Sequence, residues 1–300
     1  MNAERARYIE IGCKSVLNRV PGMPFEWSIN PYRGCFHRCV FCYARRTHTF
    51  LEKTGLDDWG STIFVKTNAA SVLRSELAKP AWRGDKVVIG TATDPYQSAE
   101  GRYRITRAIL IELARARTPA HIITRSPLVI RDIDVLQNLA RVAGAGVAFS
   151  LPTLDAELAK KIEPTVAPPA QRLRAMRTLA NAGIRTGIAI APVLPFLSDG
   201  IDDLRAVYEA AANNGASFAW DSVLNLGDVA RDSYFEFLQK HYPELVGRYN
   251  ALYAGRYANG TYARTIESRA KAARRGIDFD PPEGIATNPP LVQLSLISSA

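Results

Sequence analysis

Three of the four cysteines in this 300-residue sequence lie close together, as Cys35, Cys39 and Cys42. The spacing Cys-x3-Cys-x2-Cys places three thiolates on one short loop, where each can bind a different iron of a [4Fe–4S] cluster. A disulfide framework would instead spread its cysteines to join distant segments. Three protein ligands leave one iron open, which suits a cluster that binds a substrate or cofactor directly.

A zinc site is the alternative for the same loop. Three thiolates with His37 or His48 as the fourth ligand would complete a structural zinc site. His37 lies inside the loop, however, and the spacing differs from the paired Cys-x2-Cys of common zinc ribbons, so the iron–sulfur interpretation is favoured. The isolated Cys13 is more typical of a small buried apolar residue than of a ligand.

The chain around and beyond this loop alternates short β-branched runs with segments whose apolar residues recur at helical spacing. Strands are predicted at residues 27–32, 86–90, 121–124, 146–150, 186–191 and 217–222. A short extra strand at 63–65 is predicted before a helix over 68–78. The strands are continuous apolar runs, as parallel strands buried on both faces are. About six such repeats predict a parallel sheet, either doubly wound or curled into a barrel.

Composition and charge exclude some classes of protein. A chain that is 47% hydrophobic and 22% charged has the composition of a globular protein. No apolar run approaches the roughly 18 residues that cross a bilayer. The N-terminus carries charges where a signal peptide has its apolar segment. We therefore expect a cytoplasmic protein with no membrane partner, and the net charge of +9 favours anionic partners.

With Phe41 before its last cysteine, the loop resembles the motif of the radical S-adenosylmethionine (SAM) superfamily. The sequences NPYRGC at residues 30–35 and TDPYQ at 93–97 resemble the branch that contains spore photoproduct lyase and DNA repair photolyase-like proteins. The likeness covers about residues 25–225. It implies an α/β fold, a partial (β/α)6 TIM-like barrel that holds a [4Fe–4S] cluster and S-adenosyl-L-methionine. It also implies reductive cleavage of SAM to a hydrogen-abstracting 5′-deoxyadenosyl radical, with an external one-electron reductant such as flavodoxin or ferredoxin.

The resemblance also divides the chain. We expect an N-terminal strap over residues 1–24 and the core barrel over 25–227. A mostly helical C-terminal extension and tail should cover residues 228–300.

Polar residues follow the predicted strands at the ends where a parallel α/β barrel collects its ligands. Thr93, Arg125 and Ser150 offer two hydroxyls and a cation there. The resemblance implies that Arg125 meets the SAM carboxylate, Thr93 its amino group and Ser150 its ribose, with Phe41 also at the cofactor. The branch carries Lys in place of Arg125 and Ser in place of Thr93. The alternative is that the two hydroxyls cap strand ends and that Arg125 is a surface charge.

Three further residues are candidates for contact with substrate or for relay of hydrogen, namely Asp94, Tyr96 and Tyr43. The pair Asp94-Pro95 could instead simply form a turn. Spore photoproduct lyase is implied to return hydrogen to its product from a cysteine after the strand that follows the cluster loop. Residues 90–94 hold no cysteine here, so we expect this chain to act on another substrate.

The C-terminal part of the sequence is basic and aromatic. Residues 240–275 hold eight basic and two acidic side chains, with five tyrosines among them. Cations for phosphates and rings for bases are typical of a nucleic-acid binder. Tyr249, Tyr253 and Tyr257 equally form one packing stripe of a helical cap. Three functions stay open: radical SAM chemistry on nucleic acid, the same chemistry on a peptide or small molecule, and a non-catalytic nucleic-acid-binding protein stabilised by a cluster or zinc.

Overall fold

The computed structural model describes residues 6–48 and 59–280 and is built around a seven-stranded sheet. Ten strands occur among these residues: β1 (Arg7–Ile11), β2 (Asn18–Arg19), β3 (Trp27–Ile29), β4 (Tyr32–Arg33), β5 (Thr62–Lys66), β6 (Val87–Ile89), β7 (Ala120–Thr124), β8 (Ala145–Ser150), β9 (Arg185–Val193) and β10 (Ala216–Val223). The large sheet has the order β10-β9-β8-β7-β6-β3-β2, and only the edge strand β2 pairs antiparallel.

The order of the parallel strands distinguishes the two architectures that the sequence left open. A doubly wound sheet reverses its strand order at a switch point. Here β3 and β6 through β10 follow one another across the sheet in the order of the chain. This is the strand order of a barrel wall, and it confirms the α/β, TIM-like partial (β/α)6 architecture.

Helices cover the outer face of this sheet and extend beyond it. Those described are α1 (Ala69–Leu77), α2 (Ser98–Tyr103), α3 (Ile105–Arg115), α4 (Ile133–Val142), α5 (Ala156–Ile162), α6 (Pro169–Asn181), α7 (Ile201–Ala212), α8 (Asp228–His241), α9 (Val246–Leu252) and α10 (Gly260–Ala273). The apolar residues that recur at helical spacing in α3 form its buried face, and two of them, Ile109 and Leu113, are fully buried in the main core.

The sheet carries a separate apolar layer on each face, because successive side chains of a strand point in opposite directions. On β8, Val147 and Phe149 join the main core, whereas Ala148 belongs to a small cluster with Phe218 and Trp220. A Cβ at Gly187 would lie 2.2 Å from the Phe218 ring. The ring therefore fills the space that any larger residue at position 187 would need.

A second sheet of three strands, in the order β1-β5-β4, lies beside the start of the cysteine loop. The predicted strand over residues 27–32 was too long, because β3 ends at Ile29 and Tyr32 pairs with Val65 of β5 instead. Pro31 explains the break: proline lacks the N–H that would continue the ladder and restricts the residue before it. The predicted short strand at 63–65 is confirmed as β5.

The chain after β10 forms α8, α9 and α10, and α10 packs along α7. Tyr234, Tyr249 and Tyr253 are buried in an apolar cluster that also holds Leu194 and Leu224, the residues that directly follow β9 and β10. Within the two described ranges, no helix has the length and apolarity needed to span a bilayer. Residues 1–5 of the expected strap and residues 281–300 of the expected tail lie outside the described residues.

Candidate functional site

The cysteine loop directly follows β4 at the mouth of the barrel. Cys35 and Cys39 are buried, and Cys42 is partly buried. Burial raises the pKa of the Cys39 and Cys42 thiols. The charge of the Cys35 thiolate also raises the pKa of both thiols, and the charge of Cys42 raises the pKa of Cys39. The three thiols are therefore close enough to act on one another electrostatically.

Backbone contacts hold this loop against three other segments. Phe36 N donates to Gln97 Oε1 at 2.9 Å, and Val40 N donates to the carbonyl oxygen of Ile162 at 3.0 Å. Gly60 has φ +82°, and a Cβ there would lie 2.9 Å from the carbonyl oxygen of Cys35. Only glycine permits both this backbone conformation and this approach.

Unpartnered cationic donors surround the same loop. Arg38 Nη2 and Arg45 Nε are buried, and neither has a hydrogen-bond partner in residues 6–48 or 59–280. In the described ranges no three His, Cys, Asp or Glu side chains converge as ligands of one metal ion do. A [4Fe–4S] cluster makes a different demand, since each thiolate binds its own iron. Three thiols beside buried, unsatisfied guanidinium groups fit an anionic cluster of that kind.

Thr93 lies at the base of the loop. Its hydroxyl donates to the carbonyl oxygen of Gly34 at 2.6 Å and accepts from Gln97 Nε2 at 2.8 Å. Gln97 Nε2 also donates to the carbonyl oxygen of Gly34. The structure thus brings Thr93 to the residue that precedes Cys35.

Asp94 connects the cysteine loop to β7. One carboxylate oxygen accepts from Thr124 Oγ1 at 2.7 Å, and the other accepts from Arg125 N at 2.6 Å and lies 3.3 Å from His37 Nδ1. Burial by itself raises the pKa of Asp94, but His37 and these donors lower it overall. The carboxylate is therefore charged, and protein donors contact both of its oxygens. This arrangement is typical of a residue that holds its neighbours in position.

Arg125 lies between the cysteines and the buried carboxylate of Glu163. Arg125 Nε donates to Glu163 Oε1 at 2.7 Å, and the guanidinium carbon is 5.5 Å from the centre of the Phe41 ring. The second oxygen of Glu163 accepts from Arg172 Nη2. Arg172 is 1% exposed and also donates to the carbonyl oxygen of Ser150 at 2.8 Å.

Ser150 belongs to the same cluster of contacts. Ser150 Oγ donates to the carbonyl oxygen of Ala191 at 2.9 Å, and Arg125 Nη2 donates to the same oxygen at 3.1 Å. Arg125, Ser150 and Phe41 are therefore brought together at the strand ends. Sequence reasoning missed Glu163 and Arg172 as site residues, because their contacts with Arg125 and Ser150 join segments that are far apart in the sequence.

The remaining candidates separate. Tyr43 is 54% exposed at the mouth, and its hydroxyl donates to the carbonyl oxygen of Thr91. Tyr96 is buried in the main core, where burial and the charges of Asp132 and Glu100 raise its pKa. The structure does not bring Tyr96 to the mouth beside Tyr43. The side chain of His48, one of the two zinc alternatives, lies outside the described part of the chain.

Of the three tyrosines in the predicted packing stripe, two pack as a helical cap would, whereas Tyr257 lies beyond the end of α9 and is 38% exposed. Tyr249 and Tyr253 are buried, and Tyr253 donates to the carbonyl oxygen of Leu224 at 2.8 Å. Arg269 pairs with Asp199, and Arg274 lies 3.3 Å from Asp221. These two tyrosine rings are not available for stacking on bases, and these two arginines already have carboxylate partners.

Comparison with known proteins gives a consistent assignment. The family model of the Radical SAM superfamily matches residues 29–210. The chain is 38% identical over 264 residues to the uncharacterized protein Rv2578c of Mycobacterium tuberculosis, covering 87% of this chain and 78% of that one. It is 29% identical over 239 residues to the uncharacterized protein MJ0683 of Methanocaldococcus jannaschii, covering 79% and 84% respectively.

A solved structure shares the fold. A spore photoproduct lyase variant with bound AdoMet and dinucleoside spore photoproduct superposes with a TM-score of 0.69. The superposition covers 91% of this chain and 80% of that one, at 15% sequence identity. At this identity the similarity shows a common architecture.

Proposed function

Because the chain belongs to the radical SAM superfamily, we propose that Cys35, Cys39 and Cys42 hold a [4Fe–4S] cluster whose open iron binds SAM. The superfamily implies both cofactors, a reductant and a substrate. The single observation that supports these three residues as ligands is that their thiols lie together on one loop at the barrel mouth, with Arg125 beside them. The bound cofactors supply reductive cleavage of SAM to a 5′-deoxyadenosyl radical.

Arg125 is the residue we assign to the SAM carboxylate. A guanidinium has five N–H donors. Nε–H is taken by Glu163 and one Nη2–H by the carbonyl oxygen of Ala191. Three donors on the terminal nitrogens remain, which is the fork that binds a carboxylate in bidentate fashion. Glu163 thus fixes one side of the guanidinium and leaves the other for the ligand.

Thr93 and Ser150 have complementary hydrogen-bonding capacity left. Thr93 Oγ1 donates its one hydrogen bond to the carbonyl oxygen of Gly34 and accepts one from Gln97 Nε2. One lone pair of the hydroxyl oxygen therefore remains for a donor such as the SAM ammonium. Ser150 Oγ donates to Ala191 and keeps its acceptor capacity for a ribose hydroxyl. Phe41, packed beside Arg125, provides an apolar surface next to the proposed ligand.

We propose that the substrate is not spore photoproduct. Nucleic acid in another form stays compatible with the basic segment at residues 240–275. Residues 90–94 hold no thiol. Cys13 Sγ donates to Asn68 Oδ1 at 3.2 Å, next to the start of α1, and is held there. O–H and C–H bonds donate hydrogen to carbon radicals poorly compared with S–H. Multiple-turnover repair of a synthetic dinucleotide spore photoproduct would contradict this part of the proposal.

The decisive experiment is anaerobic reconstitution with iron and sulfide, followed by reduction with dithionite in the presence of SAM. We expect about four irons per chain, from the composition of the cluster, and release of 5′-deoxyadenosine and methionine. Stoichiometric zinc in anaerobically purified protein, with no iron or sulfide, would favour the non-catalytic alternative. A flavodoxin or ferredoxin should replace dithionite as the one-electron donor.

A further inference from the structure

Arg45 lies three residues after the last cysteine of the loop and turns back over the loop. Its Nη2 donates to the carbonyl oxygens of Cys39 at 3.1 Å and of Arg38 at 3.4 Å. Two backbone carbonyls of the loop therefore hold one end of the guanidinium in place. The rest of the group is left to face other atoms.

Arg45 Nε is fully buried and has no hydrogen-bond partner among the residues that the structure describes. A buried N–H without an acceptor is rare in native proteins, and each instance calls for an explanation such as an absent ligand. Solvent does not supply the acceptor, because this nitrogen is not accessible to it, so the acceptor belongs to a group bound beside the loop or to a ligating sulfur.

The guanidinium lies against the loop that carries the three cysteines, since Arg45 Nη2 donates to the carbonyl oxygen of Cys39 at 3.1 Å. The Cys42 and Cys39 thiolates are the strongest anionic neighbours of Arg45, ahead of Glu236 of α8. Glu236 is exposed, so it does not supply a buried acceptor. A cluster ligated by these thiolates would supply several sulfur acceptors.

We propose that Arg45 sets the reduction potential of the cluster by donating its Nε–H to a cluster sulfide or a ligating cysteine sulfur. Reduction adds one negative charge to the cluster. A cationic hydrogen-bond donor stabilises that reduced state more than the oxidised one, so it raises the potential and makes electron transfer to the cluster easier. Arg45 is thus a positioning residue that acts through the cluster. The inference rests on the proposed cluster at Cys35, Cys39 and Cys42.

The test compares reconstituted wild-type protein with Arg45→Gln and Arg45→Lys by EPR-monitored redox titration. Arg264→Gln is the matched control, because it removes the same charge from an exposed position on α10. We expect the midpoint potential to become more negative in Arg45→Gln, with Arg45→Lys in between and Arg264→Gln unchanged. Equal potentials in all four proteins at full iron content would overturn the inference.

A second measurement does not depend on whether the Arg45 variants assemble a cluster. Wild-type protein labelled with ¹⁵N-arginine should show a ¹⁵N hyperfine coupling to the reduced cluster in pulsed EPR. The labelled Arg125→Lys and Arg38→Lys variants should both retain this coupling, since Arg125 and Arg38 also lie beside the cysteines. Absence of the coupling in the wild type, or its loss in either of these variants at full iron content, would refute the role of Arg45. Wild-type protein without iron and sulfide would instead refute the proposed function.

Discussion

Oε1 of Glu163 lies 2.7 Å from Nε of Arg125, although 38 residues separate the two in the sequence. The carboxylate is buried and joins a second, fully buried guanidinium, that of Arg172. One carboxylate thus pairs with two guanidinium groups next to the cysteine loop, and this set of three side chains keeps one net positive charge. Because Glu163 occupies a defined side of Arg125, the direction of the remaining donors is fixed before any ligand binds.

Replacing Cys35, Cys39 or Cys42 with Ala should abolish cluster binding. The proposed cluster has only three protein ligands, so the loss of any one leaves a second iron without a protein ligand. Cys13→Ala is the matched control and should retain the cluster, because its thiol contacts Asn68 rather than the loop. Iron and sulfide content and the EPR signal of the reduced protein measure the result. Loss of the cluster in Cys13→Ala alone would contradict the assignment.

Arg125→Ala should weaken SAM binding by roughly 1.5–3 kcal/mol, the range of a charge-assisted hydrogen bond. This corresponds to about a tenfold to a hundredfold higher Kd. Ser150→Ala removes a neutral contact and should cost about 1 kcal/mol or less. Titration of the reconstituted variants with SAM provides the measurement. Unchanged affinity in Arg125→Ala with an intact cluster would place the carboxylate elsewhere.

Glu163→Gln should destabilise the protein by about 3–5 kcal/mol, because it leaves the buried Arg172 without its counter-charge. Glu157→Gln, at an exposed position of α5, the helix that ends just before Glu163, should change stability by less than about 0.5 kcal/mol. Anaerobic urea unfolding compares the two. Equal midpoints would show that Arg172 finds another partner.

His121 should make stability depend on pH. Burial, then the charges of Lys86 and Arg185, lower the pKa of His121 to about 3, against about 6.5 in the unfolded chain. Between these values the unfolded state binds a proton that the folded state does not, so the free energy of unfolding falls as the pH falls.

His121→Phe removes the titrating group and fits the contacts with Phe218 and Trp220. Between pH 7 and pH 5 the wild type should lose about 2 kcal/mol more than this variant does. Urea unfolding at both pH values supplies the comparison. Parallel losses would mean that the imidazole is protonated in the folded protein.

Nucleic-acid binding should depend on exposed cations of α10 and the residues after it, and not on those that pair with carboxylates. Neutralising Arg264, Lys271 and Arg275 together should weaken binding and reduce its dependence on salt. Neutralising the exposed Lys14, Lys79 and Arg83 removes the same charge from another part of the chain. Fluorescence anisotropy at several salt concentrations distinguishes the two. No binding by the parent protein at low salt would exclude nucleic acid as a partner.

The sequence predicted the parallel strands well because strands buried on both faces are apolar throughout, a signal that does not depend on the rest of the fold. It also predicted which residues end β7 and β8, so that Arg125 and Ser150 were expected at the same edge. It did not predict their contacts. The Glu163–Arg125 pair depends on where the end of α5 lies relative to β7. A glycine is needed at position 60 because the carbonyl oxygen of Cys35 approaches its backbone closely, and Cys35 belongs to a different segment of the chain.

The carbonyl oxygen of Ala191 accepts from Arg125 and from Ser150, and thereby uses both of its lone pairs. A change at either position frees or crowds the acceptor on which the other relies. The effects of replacing Arg125 and Ser150 should therefore not be additive. The double variant should differ from the sum of the two single variants, because each single change already alters the hydrogen bond that the other residue makes.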